Sequence, residues 1–249
     1  MNKLMDILIE NNLALITLNN PPVNALSLKL IAGLKEVFWD LNKKENIKII
    51  IITGAGRTFC AGADIKELSA IKTKKEGEAF AKNGQELMDI IESSTIPVIA
   101  AINGACIGGG NELAMACHIR IASEDAWFSQ PEINLGIIPG FGGSRRLTKI
   151  IGRGKAIELL ITGNKISAKD ALAIGLLNKI VPRDKLMDEA KELAGRIANK
   201  SRLAVSLCLK AIYGVEGEDK LFGKVCETED KDEGIRAFLE KRQAVFKDK

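Results

Sequence analysis

Continuous runs of β-branched and other apolar residues mark the strands of the first half of the chain. Residues 4–10 and 13–19 are two such runs, and the Asn-Asn pair between them is typical of a β-hairpin. Residues 47–53 and 97–102 are apolar almost throughout, without the alternation of a half-exposed strand. They are therefore predicted to be strands buried on both faces, as in a parallel sheet.

Two stretches between these strands carry apolar residues at helical spacing. The first covers 28–43 and follows Ser27, whose hydroxyl is a good N-cap. The second covers 74–93. The predicted core positions on these helices are Leu30, Leu34, Val37, Phe38, Trp39, Leu41, Phe80, Leu87, Met88 and Ile91. Strand and helix thus alternate up to about residue 145, which predicts a layered α/β core.

The pattern changes in the second half of the chain, where leucines recur between charged residues at helical spacing. We therefore predict two regions, an α/β core over 1–183 and a helical C-terminal region over 184–249. Amphipathic helices outside a core must bury their apolar faces. The C-terminal region is accordingly expected to pack on a neighbouring subunit or to close over a site.

Composition and charge are those of a soluble globular protein. The chain has 249 residues, of which 46% are apolar and 27% charged, with a net charge of +4. Its lysines are scattered among acids, whereas nucleic-acid binding usually needs a clustered basic stripe, so no nucleic-acid partner is expected. No apolar run approaches the ~20 residues of a membrane span, and residues 1–10 lack the apolar stretch of a signal peptide. The prediction is a cytoplasmic protein without a membrane partner.

The cysteines and the histidine narrow the possible chemistry. The five cysteines form no C-x-x-C pair and mostly lie among small or apolar residues, which predicts free, buried thiols in a reducing compartment. The single histidine, His118, lies in a strand-like alternating pattern. A structural role is favoured there over a catalytic triad or a zinc site. Carboxylates, backbone donors, thiols and amines remain as candidate groups, and no metal site is expected.

Two glutamates beside turns rich in glycine or proline are the strongest candidates for chemistry. Glu112 ends the run Gly-Gly-Gly-Asn-Glu at the start of a predicted helix, and Glu132 follows Gln-Pro. A carboxylate beside such turns is poorly solvated, which raises its pKa and suits a general acid or base. The unpaired N–H groups of the helix start could hold a developing oxyanion. From these residues alone, a surface acid at a helix start and an acid capping a loop remain alternatives.

Phosphate-binding loops are the competing interpretation of the glycine-rich segments. Neither G-x-x-x-x-G-K-[ST] nor a G-x-G-x-x-G after a predicted strand occurs, which argues against nucleotide and dinucleotide sites. The run Gly-Phe-Gly-Gly-Ser-Arg-Arg at 140–146 could grip a phosphate. The commoner case is a turn into a helix with exposed arginines.

Three strings of residues together resemble the enoyl-CoA hydratase (crotonase) family. They are Phe-Cys-Ala-Gly-Ala-Asp-Ile-Lys at 59–66, the segment 101–112 from Ala-Ile-Asn-Gly to Glu, and the segment 130–143 that begins Gln-Pro-Glu. The C-terminal segment 228–242 is also similar, so the resemblance spans essentially the whole chain. It implies a superhelix of ββα units with a helical C-terminal region that forms trimers, commonly paired as hexamers. It also implies a coenzyme A thioester as substrate and no separate cofactor.

The resemblance assigns roles to the two glutamates and to two backbone amides. Glu112 and Glu132 match the catalytic pair of true hydratases, in which the first orients and deprotonates water and the second exchanges a proton at the α carbon. The N–H groups of Ala63 and Gly109 match the oxyanion hole, which would hold the thioester oxygen as it becomes enolate-like. A departure is Asn111, where family members frequently carry cysteine.

Other positions match the family's substrate contacts, some of them across a subunit interface. They are Ala61, Asp64, Ile65, Lys66, Gly140, Phe238 and Lys241. The resemblance implies reversible syn hydration of trans-2-enoyl-CoA to 3-hydroxyacyl-CoA in fatty-acid metabolism. An isomerase on the same fold and, more remotely, an RNA-binding relative are the alternatives. The presence of both glutamates favours the hydratase.

Overall fold

Two β-sheets form the frame of the molecule in the computed structural model, which describes residues 4–249. The strands are β1 (Met5–Glu10), β2 (Leu13–Leu18), β3 (Ile49–Gly54), β4 (Thr58–Cys60), β5 (Val98–Ile102), β6 (Ala105–Ile107), β7 (Ile119–Ser123), β8 (Trp127–Ser129), β9 (Ile166–Ser167) and β10 (Lys179–Val181). The larger sheet has the order β1-β2-β3-β5-β7-β10, and the smaller has the order β4-β6-β8-β9.

Helices surround the sheets. They are α1 (Leu28–Asn42), α2 (Ile65–Ala70), α3 (Lys74–Glu92), α4 (Gly109–Ala116), α5 (Gly143–Ile151), α6 (Arg153–Thr162), α7 (Ala168–Ala173), α8 (Leu186–Ala198), α9 (Arg202–Ile212), α10 (Glu218–Cys226) and α11 (Glu229–Leu239), with 3-10 helices at Pro131–Leu135 and Arg183–Lys185. Across residues 4–249, none of the helices combines the length and apolarity that crossing a bilayer requires.

The larger sheet confirms the strands predicted from apolar runs. β1 and β2 pair antiparallel as the expected hairpin, and β2, β3, β5, β7 and β10 run parallel to one another. All of β3 and β5 is buried, because helices or other chain segments cover both faces of these strands. The β-branched side chains that predicted the strands therefore form the centre of the core.

A repeated unit of two strands and a helix generates the smaller sheet. Each of β3, β5 and β7 is followed by a short strand, respectively β4, β6 and β8, that leaves the larger sheet and joins the smaller one. β4, β6 and β8 pair in parallel, so their C-terminal ends lie along one edge. The segments that follow these three strands therefore lie side by side. The first begins after Cys60 and the last after Ser129, about 70 residues later in the sequence.

The helix starts and core faces follow the sequence pattern with one exception. Ser27 Oγ accepts a hydrogen bond from the N–H of Leu30 at 3.2 Å, which confirms the predicted cap of α1. Phe38 is fully buried, but Trp39 is 65% exposed, so its prediction as a core residue is wrong. Neighbouring positions on a helix point about 100° apart, and the buried face already contains the residue before it. The Trp39 ring instead lies under the ammonium of Lys43.

The C-terminal part of the chain begins by covering the larger sheet. Leu186, Ala190 and Ala194 of α8 are buried in one cluster with Ile49 and Ile51 of β3. The helices that follow, α9 to α11, carry few buried residues and expose several large apolar side chains. These include Ile212, Phe222, Phe238 and Leu239. The division of the chain at residue 184 stays a prediction.

The cysteines are free thiols, as predicted, but not all are buried. Cys60, Cys106 and Cys117 are enclosed in the core, whereas Cys208 and Cys226 are exposed. The two exposed thiols lie on α9 and α10, the helices that contribute little to the core. Burial raises the pKa of Cys60 to about 12, which keeps this thiol protonated and unreactive.

Candidate active site

The ends of the parallel strands β4, β6 and β8 deliver the candidate residues to one cavity. The segment after β4 contains Ala63, the segment after β6 contains Gly109, and the segment after β8 contains Glu132. All three line a single cavity of about 590 Å³, together with Glu112 from the first turn of α4. The architecture thus explains why groups from distant parts of the sequence meet.

Glu112 is buried and held by backbone donors. Its Oε1 accepts hydrogen bonds from the N–H of Phe141 at 2.8 Å and from that of Gly143 at 2.6 Å. The contact is so close that a Cβ on Gly143 would lie 2.9 Å from this oxygen. Burial, then the negative charge of Glu132, raises the pKa of Glu112 to about 8, although the two hydrogen bonds act in the opposite direction. The alternative of a surface acid at a helix start is therefore excluded.

Glu132 faces the same cavity from the 3-10 helix Pro131–Leu135. Its carboxylate packs on Gly108, where an added Cβ would lie 2.8 Å from Oε1. The other oxygen, Oε2, is buried and has no hydrogen-bond partner within residues 4–249. Burial raises the pKa of Glu132 above its ordinary value. Two carboxyl groups with raised pKa values, on different elements of one cavity, suit general acid–base chemistry.

The two predicted oxyanion donors are adjacent. Gly109 is the first residue of α4, so its N–H has no acceptor within the helix. A Cβ on Gly109 would lie 3.2 Å from the backbone N of Ala63, which places the two residues in contact. The segment containing Ala63 is fixed by hydrogen bonds from the N–H of Leu26 to the carbonyl of Gly62 at 2.8 Å and from the N–H of Asp64 to the carbonyl of Leu26 at 3.2 Å.

The other predicted substrate contacts fall into two groups. Ala61, Ile65 and Gly140 line the cavity. Asp64 is instead the N-cap of α2, with Oδ1 accepting from the N–H of Lys66 at 2.8 Å. Lys66 is exposed on that helix, outside the cavity lining.

Phe238 and Lys241 are the two predicted contacts that the single chain does not bring to the cavity. Both lie at the end of the C-terminal helices and are exposed, Phe238 by 82%. Neither contributes to the cavity wall.

The sequence did not reveal the aromatic wall of the cavity or the backbone donors to Glu112. The rings of Phe80 and Phe141 contact each other with centroids 5.4 Å apart, and both line the cavity. Phe80 was predicted only as a core residue, and no local signal marks a backbone N–H as a partner of a side chain about 30 residues away (141 − 112 = 29; 143 − 112 = 31).

The run at 140–146 also departs from its prediction. It is a turn into α5, as expected, and Arg145 is exposed, but the Arg146 side chain is only 1% exposed. The reason is a pair of acids on α3, Asp89 and Glu92, which bind the buried guanidinium. Their position cannot be read from the run itself.

His118 lies away from the cavity, as its predicted structural role requires. Its Nδ1 accepts a hydrogen bond from the N–H of Val98 at 2.9 Å. Burial lowers the pKa of His118 to about 4, so the ring is neutral at physiological pH.

Comparisons with known proteins agree on one family. The profile of the family described as Enoyl-CoA hydratase/isomerase matches residues 8–249. A Bacillus subtilis (strain 168) protein named "Probable enoyl-CoA hydratase" is 46% identical over 250 residues, covering 96% of both chains. A crotonyl-CoA hydratase of Syntrophomonas wolfei is 42% identical over 251 residues, covering 95% of both. A crystal structure of an enoyl-CoA hydratase from Bacillus anthracis has a TM-score of 0.94 at 37% identity, covering 99% of this chain and 100% of that one. The predicted α/β fold is confirmed.

Proposed function

Because the chain belongs to the enoyl-CoA hydratase/isomerase family, we propose that it is a hydro-lyase that adds water reversibly and syn across the double bond of trans-2-enoyl-CoA, giving 3-hydroxyacyl-CoA. The observation that carries this proposal is the pair of carboxyl groups with raised pKa values, Glu112 and Glu132, beside two adjacent backbone amides. The relative of Syntrophomonas wolfei, named as a crotonyl-CoA hydratase, supports the same activity.

The proposed mechanism uses each group once. The N–H groups of Ala63 and Gly109 bind the thioester oxygen and stabilise the negative charge that develops on it. In the reactive form the pair holds one proton, with Glu132 protonated and Glu112 ionised. Glu112 takes a proton from water as the water oxygen bonds to the β carbon, and the electrons of the double bond move to form an enolate. Glu132 then gives its proton to the α carbon as the enolate collapses. The proton on Glu112 returns to Glu132 before the next turnover, so atoms and charges balance.

The substrate is proposed to be a short- to medium-chain acyl thioester of coenzyme A. The cavity is lined mainly by apolar side chains beyond the two acids, including Leu68, Ile71, Phe80 and Ile137. Such a lining suits the hydrocarbon part of an acyl group. Lys66, exposed beside the cavity, is proposed to contact the coenzyme A moiety.

A hydration assay tests the proposal. We expect the purified protein to remove the conjugated-thioester absorbance of crotonyl-CoA and to yield 3-hydroxybutyryl-CoA, identified by mass. A 3-enoyl-CoA of the same length distinguishes the rival activity, because an isomerase would convert it to the conjugated 2-enoyl form. Conversion of the 3-enoyl substrate without hydration of crotonyl-CoA would contradict the proposal and favour the isomerase.

A further inference from the structure

Two adjacent arginines of α5 bind the same pair of acids but occupy different environments. Arg145 and Arg146 both form ion pairs with Asp89 and Glu92 of α3. The Arg145 side chain is 55% exposed, whereas that of Arg146 is 1% exposed. A buried guanidinium is costly unless its donors are satisfied. A surface ion pair therefore does not explain why the Arg146 side chain is buried.

Arg146 makes four hydrogen bonds with its five N–H donors, and one of them points toward the active site. Nε and Nη2 donate to Glu92 Oε2 at 3.0 and 2.7 Å, and Nη2 also donates to Asp89. Nη1 donates to the carbonyl oxygen of Phe141 at 3.1 Å. Arg145 makes no comparable contact with this carbonyl among residues 4–249.

The carbonyl of Phe141 belongs to the turn that holds Glu112. Residues 141–143, here called the 141–143 turn, donate two N–H groups to Glu112 Oε1. The middle residue, Gly142, has φ +96°, and a Cβ on it would lie 2.3 Å from Nη1 of Arg146. The turn is thus folded directly against the guanidinium, in a conformation that favours glycine.

We propose that Arg146 is a positioning residue for hydration, a role that rests on the function proposed above. Arg146 fixes the 141–143 turn so that two N–H groups point at one oxygen of Glu112. It also places a positive charge behind that carboxylate. It does not line the cavity, and the proposal gives it no contact with substrate. The acids Asp89 and Glu92 hold the guanidinium from the other side.

Charge supports the same role. The charged groups that act on Glu112 are Glu132, which raises its pKa, and Arg146, which lowers it. Asp89 and Glu92 lie on the far side of the guanidinium, bonded to it. Loss of the Arg146 charge removes one of the factors that favour the ionised form of Glu112, so its pKa should rise further.

The test compares Arg146→Gln with Arg145→Gln, a matched control that removes a charge from the same acids one residue away. For Arg146→Gln we expect kcat on crotonyl-CoA to fall at least about 10-fold, which is less than the roughly 100-fold or more expected when the general base itself is lost. KM and the dissociation constant of butyryl-CoA, which has no double bond to hydrate, should stay within about 3-fold, because substrate contacts are intact. The acid limb of the kcat/KM profile should move to higher pH. Arg145→Gln should match the wild type in each measurement.

A carboxyl titration followed by carbon NMR, assigned with Glu112→Gln, makes the result independent of turnover. A higher midpoint for Glu112 in Arg146→Gln but not in Arg145→Gln supports the inference. If Arg146→Gln does not fold, Arg146→Lys replaces it: lysine keeps the charge but lacks the planar fork, so kcat should fall while the Glu112 midpoint stays near that of the wild type.

The outcomes separate the two proposals. A wild type that leaves crotonyl-CoA unchanged overturns the proposed function. A wild type that hydrates it, with a folded Arg146→Gln variant of normal kcat and unshifted Glu112 titration, overturns the positioning role alone, even if that variant melts at a lower temperature. Equal losses in Arg145→Gln and Arg146→Gln also overturn it, because the buried contact with the turn would then be irrelevant.

Discussion

The carboxyl groups of Glu112 and Glu132 differ in what surrounds them, and this difference supports the tasks proposed for them. Glu112 accepts two backbone hydrogen bonds on one oxygen, which fixes its direction and leaves the other oxygen for water. Glu132 has a buried oxygen without a partner in the described part of the chain. Burial raises the pKa of both groups, but the ionised form of Glu112 is favoured by two backbone donors and by the charge of Arg146. We therefore propose that Glu132 is the group that gives a proton to carbon.

Replacing either acid by its amide should abolish most of the catalysis. For Glu112→Gln and Glu132→Gln we expect kcat on crotonyl-CoA to fall by at least about 100-fold, the usual scale for a positioned general acid or base. Calorimetric binding of butyryl-CoA should change little, because the amide keeps the shape of the carboxyl group. A variant with near wild-type turnover would remove that residue from the proposed mechanism.

The raised pKa of Glu112 also predicts how stability depends on pH. In the fold the pKa of this group is about 8, whereas its ordinary value is 4.5. Between these values the folded state binds more protons than the unfolded state, so the free energy of unfolding falls as pH rises. Glu132 acts in the same direction. We expect the melting temperature of the wild type, relative to that of Glu112→Gln, to decrease from pH 5 to pH 8 in a scanning-calorimetry series. A constant or increasing difference would contradict the assigned shift.

Two residues, Glu112 and Arg146, show which features of the site can be predicted from the sequence and which cannot. The position of Glu112 in the first turn of a helix follows from the glycine run and the apolar residues after it, which are local features. The burial of Arg146 depends on Asp89 and Glu92, 57 and 54 residues earlier. Nothing in two consecutive arginines distinguishes the one that α3 will cover. Contacts of this kind arise only when the sheets have brought the elements together.

At the scale of elements, the repetition of a long strand, a short strand and a helix creates the site. The long strands β3 and β5 could be predicted because β-branched runs are distinctive. The short strands β4, β6 and β8 have only three residues each and no measurable alternation. Their parallel pairing is what aligns the site residues, and it is a tertiary property. The motifs could thus be recognised in the sequence. The edge of the smaller sheet, where the motifs meet, could not be predicted from it.

α2 and α3 border the space in which the acyl chain of the proposed substrate would lie. Ile71, just after α2, and Phe80 of α3 line both the main cavity and an outer groove of about 380 Å³ between these helices. The two side chains therefore separate the spaces. A straight acyl chain longer than the cavity would have to displace this partition.

Replacing Phe80 by a smaller residue should shift the substrate preference toward longer acyl chains. For Phe80→Ala we expect the ratio of kcat/KM on octenoyl-CoA to that on crotonyl-CoA to rise by about 10-fold or more, since each extra methylene accommodated in an apolar pocket contributes on this scale. Phe80→Leu keeps much of the volume and is the matched control. Parallel steady-state kinetics on enoyl-CoAs of increasing length give the measurement. An unchanged ratio in Phe80→Ala would mean that the acyl chain does not reach this wall.

At the scale of the whole molecule, the C-terminal helices expose an unusual amount of apolar surface. Phe222 is 70% exposed, Phe238 82% and Leu239 74%. Large exposed apolar side chains concentrated on one region mark interaction surfaces. We propose that α10 and α11 pack between subunits of a homotrimer, or of a dimer of trimers, as the family resemblance implies. Phe238 and Lys241 would then reach the coenzyme A site of a neighbouring subunit.

Assembly and substrate binding should therefore be linked through Lys241. We expect light scattering of the active wild type to give a mass of three or six chains. Lys241→Glu should raise KM for crotonyl-CoA, more strongly at low salt, and leave kcat nearly unchanged, because an ammonium near a phosphate is screened by ions and lies far from the reacting carbons. Glu240→Gln alters the neighbouring charge and serves as a control. A monomeric active enzyme would contradict the assembly, and an unchanged KM in Lys241→Glu would contradict the contact.

Each of the two proposed catalytic carboxyl groups rests against a glycine, Glu132 against Gly108 and Glu112 against Gly143, so closely that a Cβ there would displace it. In genetic terms, these two glycines add to the codons in which a mutation would disturb the proposed catalytic groups. The first two bases of a glycine codon are both G, and every missense change in them adds a side chain. The proposed mechanism is therefore exposed to a single nucleotide change at four positions, the two acids and the two glycines, and the glycines carry no functional group.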